Sequence, residues 1–149
     1  MFPSILYLSL TDFICSYWDW TLDSSDPAHS TIWDAHTGVG GNGDPKHTNL
    51  VGKDKYECVV DGPFKNLRPA YLQDSHAPHC LSRSFNNGTE YIGNMLGPQY
   101  TPAVIKTISK LRDFNSYRVA LESGPHGAVH SAIGGDMSPA TSPNGKTRT

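Results

Sequence analysis

"GPHGAVHSAIGGDM", residues 124–137, places His126 and His130 four positions apart, behind Pro125 and ahead of Gly134-Gly135. On an α-helix, residues i and i+4 lie one above the other on the same face, so the two imidazoles are expected to point the same way. That is a chelating arrangement. Neutral imidazoles suit zinc, copper, iron or nickel, and a stable site wants three or four ligands, so the pair amounts to part of one. Pro125 fixes a first helical turn, Gly134-Gly135 ends the helix, and about two and a half turns lie between them. Small Gly127 and Ala128 leave room beside the rings.

Upstream, "TPAVIKTISKL" opens with Thr101 as N-cap and Pro102 at the first helical position, and Val104, Ile105, Ile108 and Leu111 follow at helical spacing. "RDFNSYRVALESG" reads as a second helical stretch that Gly124 terminates. The expected helices therefore cover residues 102–122 and 125–133. Between Ser16 and Gln99 the chain is punctuated by breakers, among them Asp26-Pro27, Gly40-Gly41-Asn42-Gly43-Asp44-Pro45, Asp61-Gly62-Pro63 and Asn87-Gly88. Mostly irregular chain is expected there, with short helices or turns at Ser30 to Ala35, Leu67 to Leu72 and Thr89 to Leu96.

The composition sets bounds on what this chain does. It has 149 residues, 37% hydrophobic and 17% charged, with Gly 14 and Pro 11, which suits one compact, loop-rich domain or part of one. A formal net charge of -2 and scattered Lys and Arg offer no basic field for phosphate backbones, so no nucleic-acid partner is expected. The apolar run "FPSILYLSL" at 2–10 is about half the length of a membrane span and has no basic residue before it, so neither a span nor a signal segment is expected. Cys15, Cys58 and Cys80 allow at most one internal disulfide, with the pairing open. Asn87-Gly88-Thr89 is a glycosylation sequon whose plain reading is a turn.

Longer stretches carry a resemblance. "LESGPHGAVHSAIGGDM" at 121–137 resembles the copper B ligand helix of the tyrosinase and catechol oxidase family. "YWDWTLD" at Tyr17 to Asp23, "CVVDGPF" at Cys58 to Phe64 and "HCLSRSF" at His79 to Phe85 resemble further family segments in the family's order. The resemblance implies a mainly α fold: a partial di-copper helical domain with long irregular loops, spanning 17–144 between non-matching segments at 1–16 and 145–149. It also implies two copper ions held by three histidines each, phenolic or catecholic substrates, and dioxygen as oxidant. Carried over residue by residue, His126 and His130 match the first two copper B ligands.

The departures from the family pattern shape the functional expectation. "MFPSILYLSLTDFICS" contains no histidine where the copper A ligands are expected, and after "SPATSPN" the chain reads "GKTRT" rather than continuing to a third copper B histidine. The expectation is therefore a catalytically silent fragment of a phenol or o-diphenol oxidase, and the alternative is a non-catalytic remnant or binding protein with half a metal site. Apolar helix faces left without the copper A helices are expected to promote self-association.

Single residues refine this. Many tyrosinases carry Asn directly after the first copper B histidine, where with a Glu it holds a water that helps deprotonate a monophenol; Gly127 has no such amide, so oxidation of o-diphenols is expected over hydroxylation of monophenols. Gly127 also stands where His-Glu-x-x-His zinc hydrolases place their general base, which argues against that class. His29, His36 and His47 lie in turn-rich sequence. His76, His79 and Cys80 are spaced more tightly than standard zinc motifs, and His79 and Cys80 are read as structural. "YWDW" is read as packing with hydrogen-bonded edges, and "GVGGNGDP" as a turn lacking the Gly-Lys-Ser/Thr ending of a phosphate loop.

Overall fold

The computed structural model describes residues 5–10, 13–51, 53–72, 75–86 and 94–138, with backbone alone for 5–16. The sequon at 87–89 and the first part of the short helix or turn expected at 89–96 lie outside the described residues. The chain enters through an antiparallel hairpin of β1 (Ile5–Leu10) and β2 (Phe13–Trp18), in which Leu8 faces Cys15. A single turn, α1 (Trp20–Asp23), follows; its N-cap Asp19 accepts from Thr21 N at 3.1 Å and Thr21 Oγ1 at 2.7 Å. Two 3₁₀ turns, Pro27–His29 and Thr31–Trp33, lead to a second hairpin, β3 (Gly43–Val51) against β4 (Asp54–Val59). A short ladder pairs β5 (Tyr71–Leu72) with β6 (Ser75–His76).

The last third is helical. A 3₁₀ turn at Gly97–Tyr100 runs into α2 (Pro102–Ile108), capped as its sequence dictates: Thr101 Oγ1 accepts from Val104 N at 3.4 Å and Pro102 fills the first position. This helix stops at Ile108, so Leu111 lies beyond it and is exposed. Next comes α3 (Phe114–Leu121), then one π-helical turn (Glu122–His126), then α4 (Gly127–Ile133) and a 3₁₀ turn at Gly135–Met137. Gly124 breaks the helical path inside this turn, with non-helical φ -102° and ψ -107°, so two helices meet at a kink there. The boundary expected at Gly124/Pro125 thus falls at this kink, with α4 proper counted from Gly127.

The core shows why α4 is held so firmly. Ala128, Val129, Ala132 and Ile133 bury one face of it against Met95 and Tyr100, and Trp18, Trp20, Trp33 and Phe85 pack around them. Tyr100 is fully buried and donates its hydroxyl to Met95 O at 2.7 Å; burial pushes that hydroxyl well above the ordinary tyrosine range. The aromatic edges are satisfied as well: Trp18 Nε1 donates to Asp23 Oδ2 at 2.6 Å and Trp33 Nε1 to Pro27 O at 2.8 Å. Of the YWDW segment, Trp18 and Trp20 pack against the core while Tyr17 is exposed.

The short helix or turn expected at 30–35 is the 3₁₀ turn Thr31–Trp33. Two local expectations are corrected. Residues 67–72 form neither helix nor turn. Leu67 O and Pro69 O instead accept from Leu81 N and His79 N, so the segment runs extended beside residues 79–81. The region read as lacking a scaffold is built on the β3–β4 hairpin, which takes in Asp44-Pro45 by an irregularity between Asp44 and Thr48.

One cap supplies a pH test. Asp113 caps α3 by accepting from Ser116 N at 2.7 Å, and that backbone bond, with help from the Ser116 hydroxyl, holds its carboxyl below the ordinary 3.8. A depressed carboxylate stabilises fully above its unfolded pKa and loses that contribution as pH falls through the folded value. Acid titration followed by far-UV circular dichroism should show helix loss below pH 3.8. Asp113→Asn should lack that component, and an identical acid limb in the variant would refute the cap's role.

Candidate metal centre

The two histidines meet at the junction of the π turn and α4. His126 ends the wide turn and His130 sits one turn on, with ring centroids 4.6 Å apart and planes inclined by 44°. Both border the buried face of α4 while remaining partly accessible, and the His126 side chain is 41% exposed.

Each ring is oriented through Nδ1. His126 Nδ1 lies 3.0 Å from Glu122 Oε2, and His130 Nδ1 lies 2.7 Å from Met137 O. A carbonyl only accepts, so His130 Nδ1 carries the hydrogen and the lone pair of the neutral ring sits on Nε2; the carboxylate imposes the same tautomer on His126. This is how metal-binding imidazoles are usually prepared, with the remote nitrogen tied to a carboxylate or a carbonyl. The donor chemistry fits two imidazole ligands of a copper site. Among the described residues, no group of three or more His, Cys, Asp and Glu side chains is placed to hold a metal.

Glu122 and Met137 escaped the sequence reading. Glu122 had a signal, standing four residues before His126 on a helical stretch. Met137 acts through its backbone, which side-chain identity does not reveal. Of the other histidines, His29 pairs with Asp26 at 2.8 Å, His47 with Asp44 at 2.7 Å, and His76 stands edge-on to Tyr71. His79 is buried between Asp136 and Ala77 O, and Cys80 is bonded to Cys58, so both are held in structural contacts. An open apolar groove of about 570 Å³ runs along α4, bounded by Trp18, Trp20, Ile105, Leu121, Val129 and Ile133.

Residues 6–145 match the family model described as the common central domain of tyrosinase. The chain belongs to the tyrosinase family. It is 41% identical over 129 residues to the tyrosinase-like protein phomQ2 of Diaporthe leptostromiformis, an alignment covering 86% of this chain and 32% of that relative. It is 40% identical over 139 residues to the tyrosinase-like protein phomQ1' of the same organism, covering 86% and 36% respectively. To the tyrosinase ustQ of Aspergillus flavus it is 34% identical over 128 residues, covering 86% and 35%. The chain thus spans about a third of the length of the curated relatives it matches. No solved structure matches it. Tyrosinases as a family bind copper and act on phenolic substrates with dioxygen. Among the described residues, no helix of this member is long and apolar enough to cross a membrane.

Proposed function

We propose that this chain carries the copper B side of a phenol-oxidising paired-copper site, within a domain spanning 17–144, with His126 and His130 as its first two ligands. The observation behind this reading is the shared tautomer: both rings are tied through Nδ1, and both lone pairs are left on Nε2. Copper, when bound, supplies the redox chemistry that couples oxidation of a phenol or catechol to dioxygen. The protein's part is to fix the rings, through Glu122 on one side and Met137 O on the other; the apolar groove along α4 extends to Met137.

Two imidazoles are fewer than a stable copper site needs, so the chain by itself holds copper weakly and does not oxidise catechol. Gly127 leaves no side-chain amide beside His126, and an added Cβ there would already stand 3.1 Å from Glu122 O. The oxidase to which this site belongs therefore favours o-diphenols over monophenols. The exposed Phe114, Val119 and Leu111 are the apolar surface through which isolated chains self-associate.

Copper loading under air, followed by metal analysis and a catechol assay, tests this reading. At most one weakly held copper per chain and no quinone are expected. Two coppers per chain with quinone formation would overturn the silent-fragment reading. Absence of any copper binding that depends on His126 and His130 would instead favour a non-catalytic remnant.

A further inference from the structure

The buried pair His79–Asp136 has no part in the copper ligand set, yet it stands one residue from the carbonyl that orients His130. His79 Nε2 lies 2.7 Å from Asp136 Oδ1, with the two side chains 0% and 3% exposed. The other Asp136 oxygen, Oδ2, accepts from Ser82 N at 2.7 Å, and Asp136 N donates to Ser82 O at 3.1 Å. His79 is fixed at its far side, where Nδ1 donates to Ala77 O at 2.7 Å. Either proton arrangement of the pair, imidazolium with carboxylate or imidazole with carboxylic acid, keeps the contact hydrogen-bonded. Asp136 is therefore held at three points, and the 3₁₀ turn Gly135–Met137 that contains it is fixed with it. Further bonds tie the same ribbon to α4: Ser84 N donates to Ile133 O at 3.0 Å and Asn86 N to Ala132 O at 2.8 Å.

We propose that Asp136 and His79 are positioning residues for the metal site: by clamping the Gly135–Met137 turn they aim the Met137 carbonyl at His130 Nδ1 and so fix the tautomer that leaves Nε2 available to a metal. The inference rests on the assignment of His130 as a ligand. Its geometric half, the link from clamp to tautomer, holds or fails without any metal. A carbonyl at the end of a short turn is a weak restraint when the turn is free to rock. Burying a charged or strongly polar side chain is expensive unless its bonds are made, and engaging both carboxylate oxygens favours one orientation of the turn. Outer hydrogen-bond partners of metal-binding histidines typically contribute about 10–100-fold in metal affinity.

The test uses the full 149-residue chain, histidine-labelled with ¹⁵N, in three forms. In the unmodified, metal-free protein, His130 should appear as the Nδ1–H tautomer; an Nε2–H ring would overturn the proposal before any variant is made. In Asp136→Ala, His130 should become a mixture of tautomers, and Cu(II) or Zn(II) affinity should fall about 10–100-fold while helical circular dichroism is kept. Asp136→Asn should rescue both readouts, because its carbonyl accepts from Ser82 N while its amide N–H donates to His79 Nε2. A merely structural role predicts lower thermal stability with the tautomer and the affinity unchanged, and that result would refute the proposal, as would failure of the Asn rescue. Should Asp136→Ala not fold, the unmodified protein and Asp136→Asn still decide the tautomer. If the tautomer behaves as expected while no form binds metal, the clamp stands and the ligand assignment falls.

Discussion

His130→Ala is expected to weaken Cu(II) binding by the metal-free chain by roughly 100-fold or more, since losing a ligand exceeds the ~10–100-fold that losing an outer partner costs. The substitution is mild for the fold. Position 130 lies inside α4, alanine is the best helix former, and the buried cluster that anchors the helix is made by Ala128, Val129, Ala132 and Ile133. The chief structural loss is the bond to Met137 O, which water can replace at this partly accessible site. Helical circular dichroism should thus stay constant while a calorimetric copper titration collapses. His29→Ala and His47→Ala serve as controls, because those exposed rings pair with aspartates three residues away in sequence and should leave the titration unchanged. Equal loss in all three variants would mean that copper is gathered by surface histidines at large.

The largest effect on stability is expected from Gly134→Ala. Gly134 adopts φ 62° and ψ -157°, a backbone conformation that is close to glycine-only, and an added Cβ would stand 2.3 Å from Ser84 O. The obstruction is backbone rather than a yielding side chain, and that backbone is bonded to Ile133 O through Ser84 N. Relief requires separating the 82–86 ribbon from the end of α4, which sacrifices those bonds and uncovers part of the core. Strain and lost contacts together should cost about 4 kcal/mol or more, a large share of a typical domain's 5–15 kcal/mol. The melting temperature should drop by at least about 10 °C in a thermal scan. A shift of only a degree or two would show that the ribbon does not pack against Gly134 as described.

How much of this was legible in the sequence follows from the range of each interaction. The histidine pair and the Thr101-Pro102 helix start were visible because spacing and capping are local. The break at Gly124-Pro125 was legible for the same reason, but the wide Glu122–His126 turn around it was not, because it loosens one turn without disturbing the apolar spacing. The stretch at 67–72 failed for a different reason. Its carbonyls are taken by the amides of 77, 79 and 81, partners that no local propensity registers. The β3–β4 hairpin was hidden by Asp44-Pro45, which a strand absorbs only at an irregularity. The pairing of Cys58 with Cys80 needed coordinates to choose among three cysteines, and the bond from His79 to Asp136 joins residues 57 apart in sequence.

The Cys58–Cys80 bridge joins β4 to the residue next to His79, and Val59 N bonds to Leu81 O directly beside it. Such a link forms in oxidising surroundings and is kept open by the thiol buffers of a cytosol. Batches of this polypeptide grown in different hosts would accordingly share every residue, differ in mass by a pair of hydrogens, and moor the 79–83 ribbon with unequal firmness. Thiol content belongs beside copper content on the certificate of any sample whose metal affinity is to be compared.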